Sequence, residues 1–269
     1  MPSSQPSTAA PRHFGAVLAH GLASWWRVVH LGMLLLALAL TAGSYSRSSR
    51  QALARHVYLG TAPALPGFTV VCALISLVLI RIVLVTAVSY GLSQYALEMV
   101  VRVLVLELIP LTAALFAALR CTIPYAAEVA MLRATEPWSA WTPEGAQRLQ
   151  AEVLPRVGAG VFCALMLAAV SCVVTLLVAY LSVYGFVVSG FAAYTHTVGH
   201  VFEPAVSLIF GLKLVLFSIT VALMPMASVL DEDTKPTHRR RASAELRGLV
   251  RMFLVILLIE AGSLVGNYY

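Results

Sequence analysis

The sequence predicts an all-α integral membrane protein with five transmembrane helices, preceded by shorter N-terminal helices at the membrane surface. Three observations predict it. First, 60% of the residues are hydrophobic and only 11% charged, with a mean hydropathy of +0.87. A soluble domain carries about 25% charged residues, so this chain lacks the polar surface a water-soluble fold needs. Second, several apolar runs reach the ~20 residues that cross a bilayer core. They do not alternate as barrel strands do, and lipid gives open backbone groups no partner, so helices are expected. Third, the cations cluster in alternate loops, the pattern that orients multi-pass proteins. The net charge of +6 is therefore read as topology rather than as a nucleic-acid footprint.

Residues 1–11 are polar and Pro-rich and are expected to be a disordered tail. Residues 12–66 are expected to form N-terminal interfacial helices, and residues 67–269 the transmembrane domain. Phe14, Val17, Leu18, Leu22, Trp25 and Val29 recur at helical spacing, with His20, Ser24 and Arg27 on another face. Trp and Arg on one amphipathic helix suit the headgroup layer. The run from Val28 to Ala42 is short for a span, so a re-entrant or shallowly inserted helix is expected. A rival reading takes Leu31 to Leu40 as a signal-peptide core, against which stands a long preceding segment with its own amphipathic helix.

The expected spans follow in order. Phe68–Ser93 is the first and Met99–Leu119 the second. Val157–Tyr194 is too long for one upright helix and reads as a third span that continues outside the membrane. Ala205–Val229 is the fourth and Leu249–Gly266 the fifth. Arg12, Arg27, Arg47, Arg50 and Arg55 precede span one, Arg120, Arg133, Arg148 and Arg156 lie between spans two and three, and Lys235, Arg239, Arg240, Arg241 and Arg247 precede span five. The alternate connections carry few cations or none. This places the N-terminus in the cytoplasm and the C-terminus outside.

Charges interrupt the spans. Arg81 falls in span one, Arg102 and Glu107 in span two, Lys213 in span four and Glu260 in span five. A charge at mid-bilayer costs at least about 2.5–3.5 kcal/mol, so it must face protein or water. Two pairings are open: Glu107 with Lys213, and Glu98 or Glu107 with Arg81. Such pairs either fix helix packing or line a polar path, and Arg102 can also snorkel to the interface. Pro110 and Pro225 interrupt spans two and four. Cys72, Cys121, Cys163 and Cys172 have no zinc-motif spacing and read as small apolar packers.

The stretch from Leu106 to Glu136 carries Glu107 with Pro110, Ala113-Ala114-Leu115, Arg120, Ala127-Glu128, and Met131 through Thr135-Glu136. It resembles the signature of MlaE/YrbE-type permeases, the membrane subunits of MCE-associated ABC lipid transporters. Leu154-Pro155-Arg156 and Lys213 with Phe217 and Ile219-Thr220-Val221 extend the resemblance. Leu119, Cys121 and Thr122 stand where the family usually has Gly and Ser, and Leu106 where an Arg is common. The resemblance implies a permease homodimer, two separate ATPase subunits on the cytoplasmic face, and a periplasmic ring, hexameric, of MCE-domain proteins. It implies phospholipid cargo, moved between the bacterial inner membrane and the MCE carrier to maintain outer-membrane lipid asymmetry. It also implies a coupling helix from Glu128 to Glu136, including Met131, Leu132 and Arg133. Glu107 and Lys213 are then expected near the lipid path, Arg81 and Arg102 at the headgroup, and Tyr90, Tyr95 and Leu97 along its apolar part. No GxxxxGK[ST] phosphate cradle occurs in the sequence. The chain is therefore expected to have no enzymatic activity or cofactor of its own, with ATP and Mg in the partner ATPase. Two other classes compete. An intramembrane lipid-modifying enzyme would use His196, His200 and Glu203, two His at i and i+4. A non-transporting membrane scaffold would need no ATPase.

Overall fold

The computed structural model describes residues 25–26, 28–38, 47–92, 95–136, 138–139, 142–230 and 238–268. The tail at 1–11 and the amphipathic stretch before Trp25 lie outside them. Five helices are long and apolar enough to cross a membrane, and no strand occurs among the described residues. In chain order the helices are α1 (Val28–Leu38), α2 (Arg47–Thr61), α3 (Ala64–Ser89), α4 (Ala96–Thr135), α5 (Pro143–Tyr184), α6 (Phe191–Val201), α7 (Pro204–Leu230) and α8 (His238–Tyr268). Helices α3, α4, α5, α7 and α8 supply the five spans, which makes this a multi-pass membrane protein.

The bundle is organised around α5. Its buried face is built from Ala159, Gly160, Cys163, Ala164, Ala168, Ser171, Cys172, Thr175 and Ala179. Small residues let helix backbones approach closely where lipid supplies no hydrophobic drive between helices. At Gly160 an added Cβ would stand 2.6 Å from Thr122 Cγ2 of α4 and 3.4 Å from Ala222 Cβ of α7. Helix α3 turns Phe68, Cys72, Ser76 and Ile80 inward at four-residue spacing, and the Ser76 and Thr175 hydroxyls meet at 2.9 Å. The thiols of Cys121 and Cys163 touch at 2.8 Å between α4 and α5. Cys121 also donates to the carbonyl of Gly60, and Tyr125 donates to that of His56 at 2.7 Å, so α2 is pinned against both spans.

Backbone chemistry sets the helix ends. Gly91 takes φ 72° after α3. Its N–H reaches the Val88 carbonyl at 3.1 Å, and the Leu92 N–H reaches that of Ala87 at 2.8 Å. Those two bonds form a Schellman stop, which needs a residue that tolerates positive φ. Thr142 starts α5 by accepting from the Gly145 N–H, with Pro143 in the first turn.

Two expectations change. The third span does not run on to Tyr194: Gly185, at φ 68°, ends α5, and α6 starts anew at Phe191. The Tyr180 hydroxyl donates to the Val187 carbonyl and that of Tyr194 to the Leu176 carbonyl, closing the turn. The second span does not stop near Leu119. It continues unbroken through Thr135, with π-helical segments at Val101–Leu108 and Ala118–Thr122. Pro124 sits in the first turn after the second π segment, where its missing N–H is absorbed rather than ending the helix.

Candidate functional site

Three spans bring their charges together. Lys213 on α7 is only 2% exposed, and its ammonium is the hub. It donates to a Glu107 carboxylate oxygen from α4 and reaches Glu260 Oε2 of α8 at 2.9 Å. It also donates to the carbonyl of Leu106 at 3.1 Å. That carbonyl lies in the last turn of the π segment, just before Pro110, whose missing N–H leaves the turn one donor short. The Glu-x-x-Pro pattern thus presents a carboxylate and a freed carbonyl one residue apart, and one lysine answers both. The Phe217 ring lies 5.7 Å from the ammonium on the same helix. Nζ has three donors; two are hydrogen-bonded, to Glu107 and to the Leu106 carbonyl, while Glu260 Oε2 faces the ammonium as an ion-pair partner with no hydrogen bond of its own among the described residues.

Helix α8 adds more than Glu260. Ser263 and Asn267 follow at i+3 and i+7, forming a polar stripe on the otherwise apolar second half of α8. The Asn267 amide donates to Glu107 Oε1 at 3.5 Å. Ser263 Oγ and Asn267 Oδ1 are buried with no hydrogen-bond partner among the described residues. This stripe was readable as i, i+3, i+7 polar spacing inside an apolar run, but it was not singled out.

The remaining intramembrane cations stand apart from this cluster. Arg102 pairs with Glu98 one helical turn away at 3.0 Å, both about one-third exposed. Arg81 is exposed on α3, amid Leu77, Val78, Ile82 and Val85. It has no ion-pair or hydrogen-bond partner among the described residues, so neither carboxylate offered for it in the sequence reaches it. At 1.5 Å per residue, Arg81, Glu107, Lys213 and Glu260 all lie roughly 12–16 Å below the same end of the bundle. They form one charged level across four spans. Tyr90 and Tyr95 are exposed at that end, whereas Leu97 is turned into the core at 6% exposure.

The opposite end carries the arginines. There Arg156 on α5 bridges Glu128 at 3.2 Å and Glu152 at 2.7 Å. Arg133 donates to the carbonyl of Val229, one of the last residues of α7, and lies 5.5 Å from the Trp138 ring. This satisfies a carbonyl that the helix end leaves open. Glu136 pairs with Arg148 at 2.7 Å across the α4–α5 connection. Met131 and Leu132 stay exposed, at 71% and 41%, one turn beyond the exposed Glu128 and just before Arg133. An apolar pair with charged flanks is thus displayed beyond the apolar part of the bundle.

His196 and His200 lie on α6 and are not joined by further ligands. Among the described residues no group of three or more His, Cys, Asp or Glu side chains can hold a metal ion.

The sequence profile described as "Permease MlaE" matches residues 53–264. The chain belongs to the MlaE permease family. That match spans α2 through most of α8, and so takes in both the charged level and the arginine-bearing end. It makes the chain a membrane-embedded permease subunit of an ABC-type transporter, a component that works with partner subunits. No curated protein matches the chain.

Proposed function

We propose that this permease moves phospholipid between the bacterial inner membrane and a periplasmic MCE-domain carrier, and so helps maintain outer-membrane lipid asymmetry. The observation that carries this reading is the charged level. A soluble or headgroup-free function has no use for Arg81, Glu107, Lys213 and Glu260 at one depth in hydrocarbon, since each costs free energy there. Arg81 is the strongest member of the argument. An unpaired guanidinium amid Leu77, Val78 and Ile82 needs water, a headgroup or a second subunit beside it, and guanidinium geometry suits phosphate.

In this reading two copies of the chain form a homodimer, and the α3 faces frame a cavity open to the periplasm. Arg81 and Arg102 contact the headgroup, since the exposed Arg102–Glu98 pair is weak enough to reopen. Glu107 and Lys213 close the polar floor, and Ser263 and Asn267 offer unspent hydrogen-bonding capacity beside it. Tyr90 and Tyr95 stand at the mouth. The tail at 1–11 and the interfacial helices at 12–66 precede the transmembrane unit at 67–269. The arginine-bearing end is cytoplasmic, as is the N-terminus, with the C-terminus periplasmic. Glu128, Met131, Leu132, Arg133 and Glu136 engage two ATPase subunits, which supply ATP and Mg chemistry that this chain does not perform. An MCE ring, hexameric, covers the far end.

Transfer of fluorescent phospholipid by the complete complex in proteoliposomes tests this. Glu107→Ala leaves Lys213 paired with Glu260, so the complex should still assemble while transfer falls. Undiminished transfer in that variant removes the charged level from the mechanism.

A further inference from the structure

A second cavity lies at the arginine-bearing end, away from the charged level. It measures about 300 Å³ and is lined by α1, α2, α5 and α7, with Leu35, Leu53, Gly158, Val161, Ile219 and Leu223 among its walls. Gly158 keeps it open: a Cβ there would already stand 3.1 Å from Leu53 Cδ1. Among the described residues the only polar side chain on its wall is Ser49 of α2. An apolar void of this size left empty forfeits the dispersion contacts of every residue around it. Ordered water does not fill such a site either, for want of polar partners. A hydrocarbon chain fits both its chemistry and its size. At roughly 30 Å³ per group, about that of a water molecule, the space takes around ten methylenes.

Depth and charge identify the owner of that chain. The α5 wall, Leu154 to Val161, lies within the first two turns after the π segment at Leu149–Val153, and Ile219 and Leu223 are roughly 10–17 Å from the end of α7. The cavity thus occupies one leaflet of a ~30 Å core. At its Ser49 edge the next residue, Arg50, is exposed and has no partner among the described residues. We propose that the cavity holds one acyl chain of a resident anionic phospholipid from the leaflet at the arginine-bearing end, with its phosphate at Arg50. The site is distinct from the transport path. Ile219, the wall residue nearest Lys213 along α7, is still roughly 9 Å further from the far end. The lipid wedges α1 and α2 onto α5 and α7, replacing packing that the side chains leave undone.

Photo-crosslinking tests this with the full complex in vesicles containing phosphatidylglycerol with a diazirine midway along one chain. Adducts should concentrate on residues 157–161 and 219–223, above the level at lipid-facing Val70, Val78 and Leu212. Val161→Phe and Ile219→Phe each fill the cavity and should cut those adducts about tenfold. Arg50→Gln should leave a phosphatidylcholine analogue unaffected while lowering the phosphatidylglycerol signal about tenfold, the scale of one charge-assisted contact. Adducts no denser in the cavity than on Val70 or Val78, or filling variants that label like the parent, overturn the site. Equal labelling by the two headgroups overturns the anionic assignment. Adducts that vanish during ATP turnover identify cargo instead of a resident lipid. The readout requires no transport, so failure of the transporter reading leaves it intact.

Discussion

Replacing Lys213 by methionine gives the sharpest measurement of the charged level. Methionine keeps most of the length and apolar volume of lysine but removes the ammonium. Glu107 and Glu260 then face each other across three spans with no cation, and the Leu106 carbonyl loses its donor. Lys213 is 2% exposed and its two carboxylate partners are each 14% exposed, so solvent screens little. Removing one member of a buried ion pair costs about 3–5 kcal/mol, because the partner's charge is left uncompensated. For a chain of this size each kcal/mol lowers Tm by about 2–4 °C, so a fall of roughly 10 °C is expected. Thermal unfolding in detergent, followed by size-exclusion of the fluorescently tagged protein, reads that shift directly. The triple variant Glu107→Gln, Lys213→Met, Glu260→Gln removes the charges together and should recover most of the lost stability, since no unpaired ion remains. The reasoning fails if Lys213→Met unfolds within about 2 °C of the parent. It also fails if the triple variant is no more stable than the single one.

Three further outcomes are expected. Glu136→Lys should weaken co-purification of the ATPase while barely moving Tm, because the exposed Glu136–Arg148 pair contributes only about 0–1 kcal/mol; undiminished co-purification sinks the coupling role. Gly160→Val should lower folded yield and cost about 1–3 kcal/mol through overpacking, as the added atoms meet Thr122 and Ala222; unfolding at the parent temperature would show that the α4–α5–α7 junction yields without strain. Arg81→Leu should leave thermal stability unchanged or raised while reducing lipid transfer, since Arg81 has no partner to lose among the described residues; a large loss of stability without any transfer defect would reassign it to structure.

The sequence and the structure agree where a signal is strong and local. Long apolar runs specify spans regardless of neighbours, so all five helices were legible. Opposite charges inside two such runs had few ways to be tolerated, which is why Glu107 and Lys213 could be paired before the fold was known. The third member was harder. Glu260 is nearly fifty residues beyond Lys213, and nothing local says which face of α8 turns inward except the Glu260–Ser263–Asn267 spacing. The freed carbonyl of Leu106 was implicit in Pro110, but which donor would answer it depended on how α4 and α7 pack. The contact between Cys121 and Cys163 was not legible at all, because forty-two residues separate them and a thiol carries no directional signal. The end of α5 was misread although Gly185 stands where a helix-stopping glycine belongs. Continuous hydrophobicity outweighed it. The reverse happened at Leu119, where the expected end of the second span is the middle of an unbroken α4.

Because α4 is unbroken, the charged level and the exposed Met131–Leu132 pair belong to one shaft, with two π segments set into it. A π turn holds one residue more than the α-helical count allows. If that surplus residue migrates along the shaft, the stretch it passes turns by about 100°, one residue's worth of helical rotation, while every turn stays hydrogen-bonded. Torque applied at one face of the membrane can then be delivered as a swivel of the Glu107 carboxylate, without any hinge having to open between them.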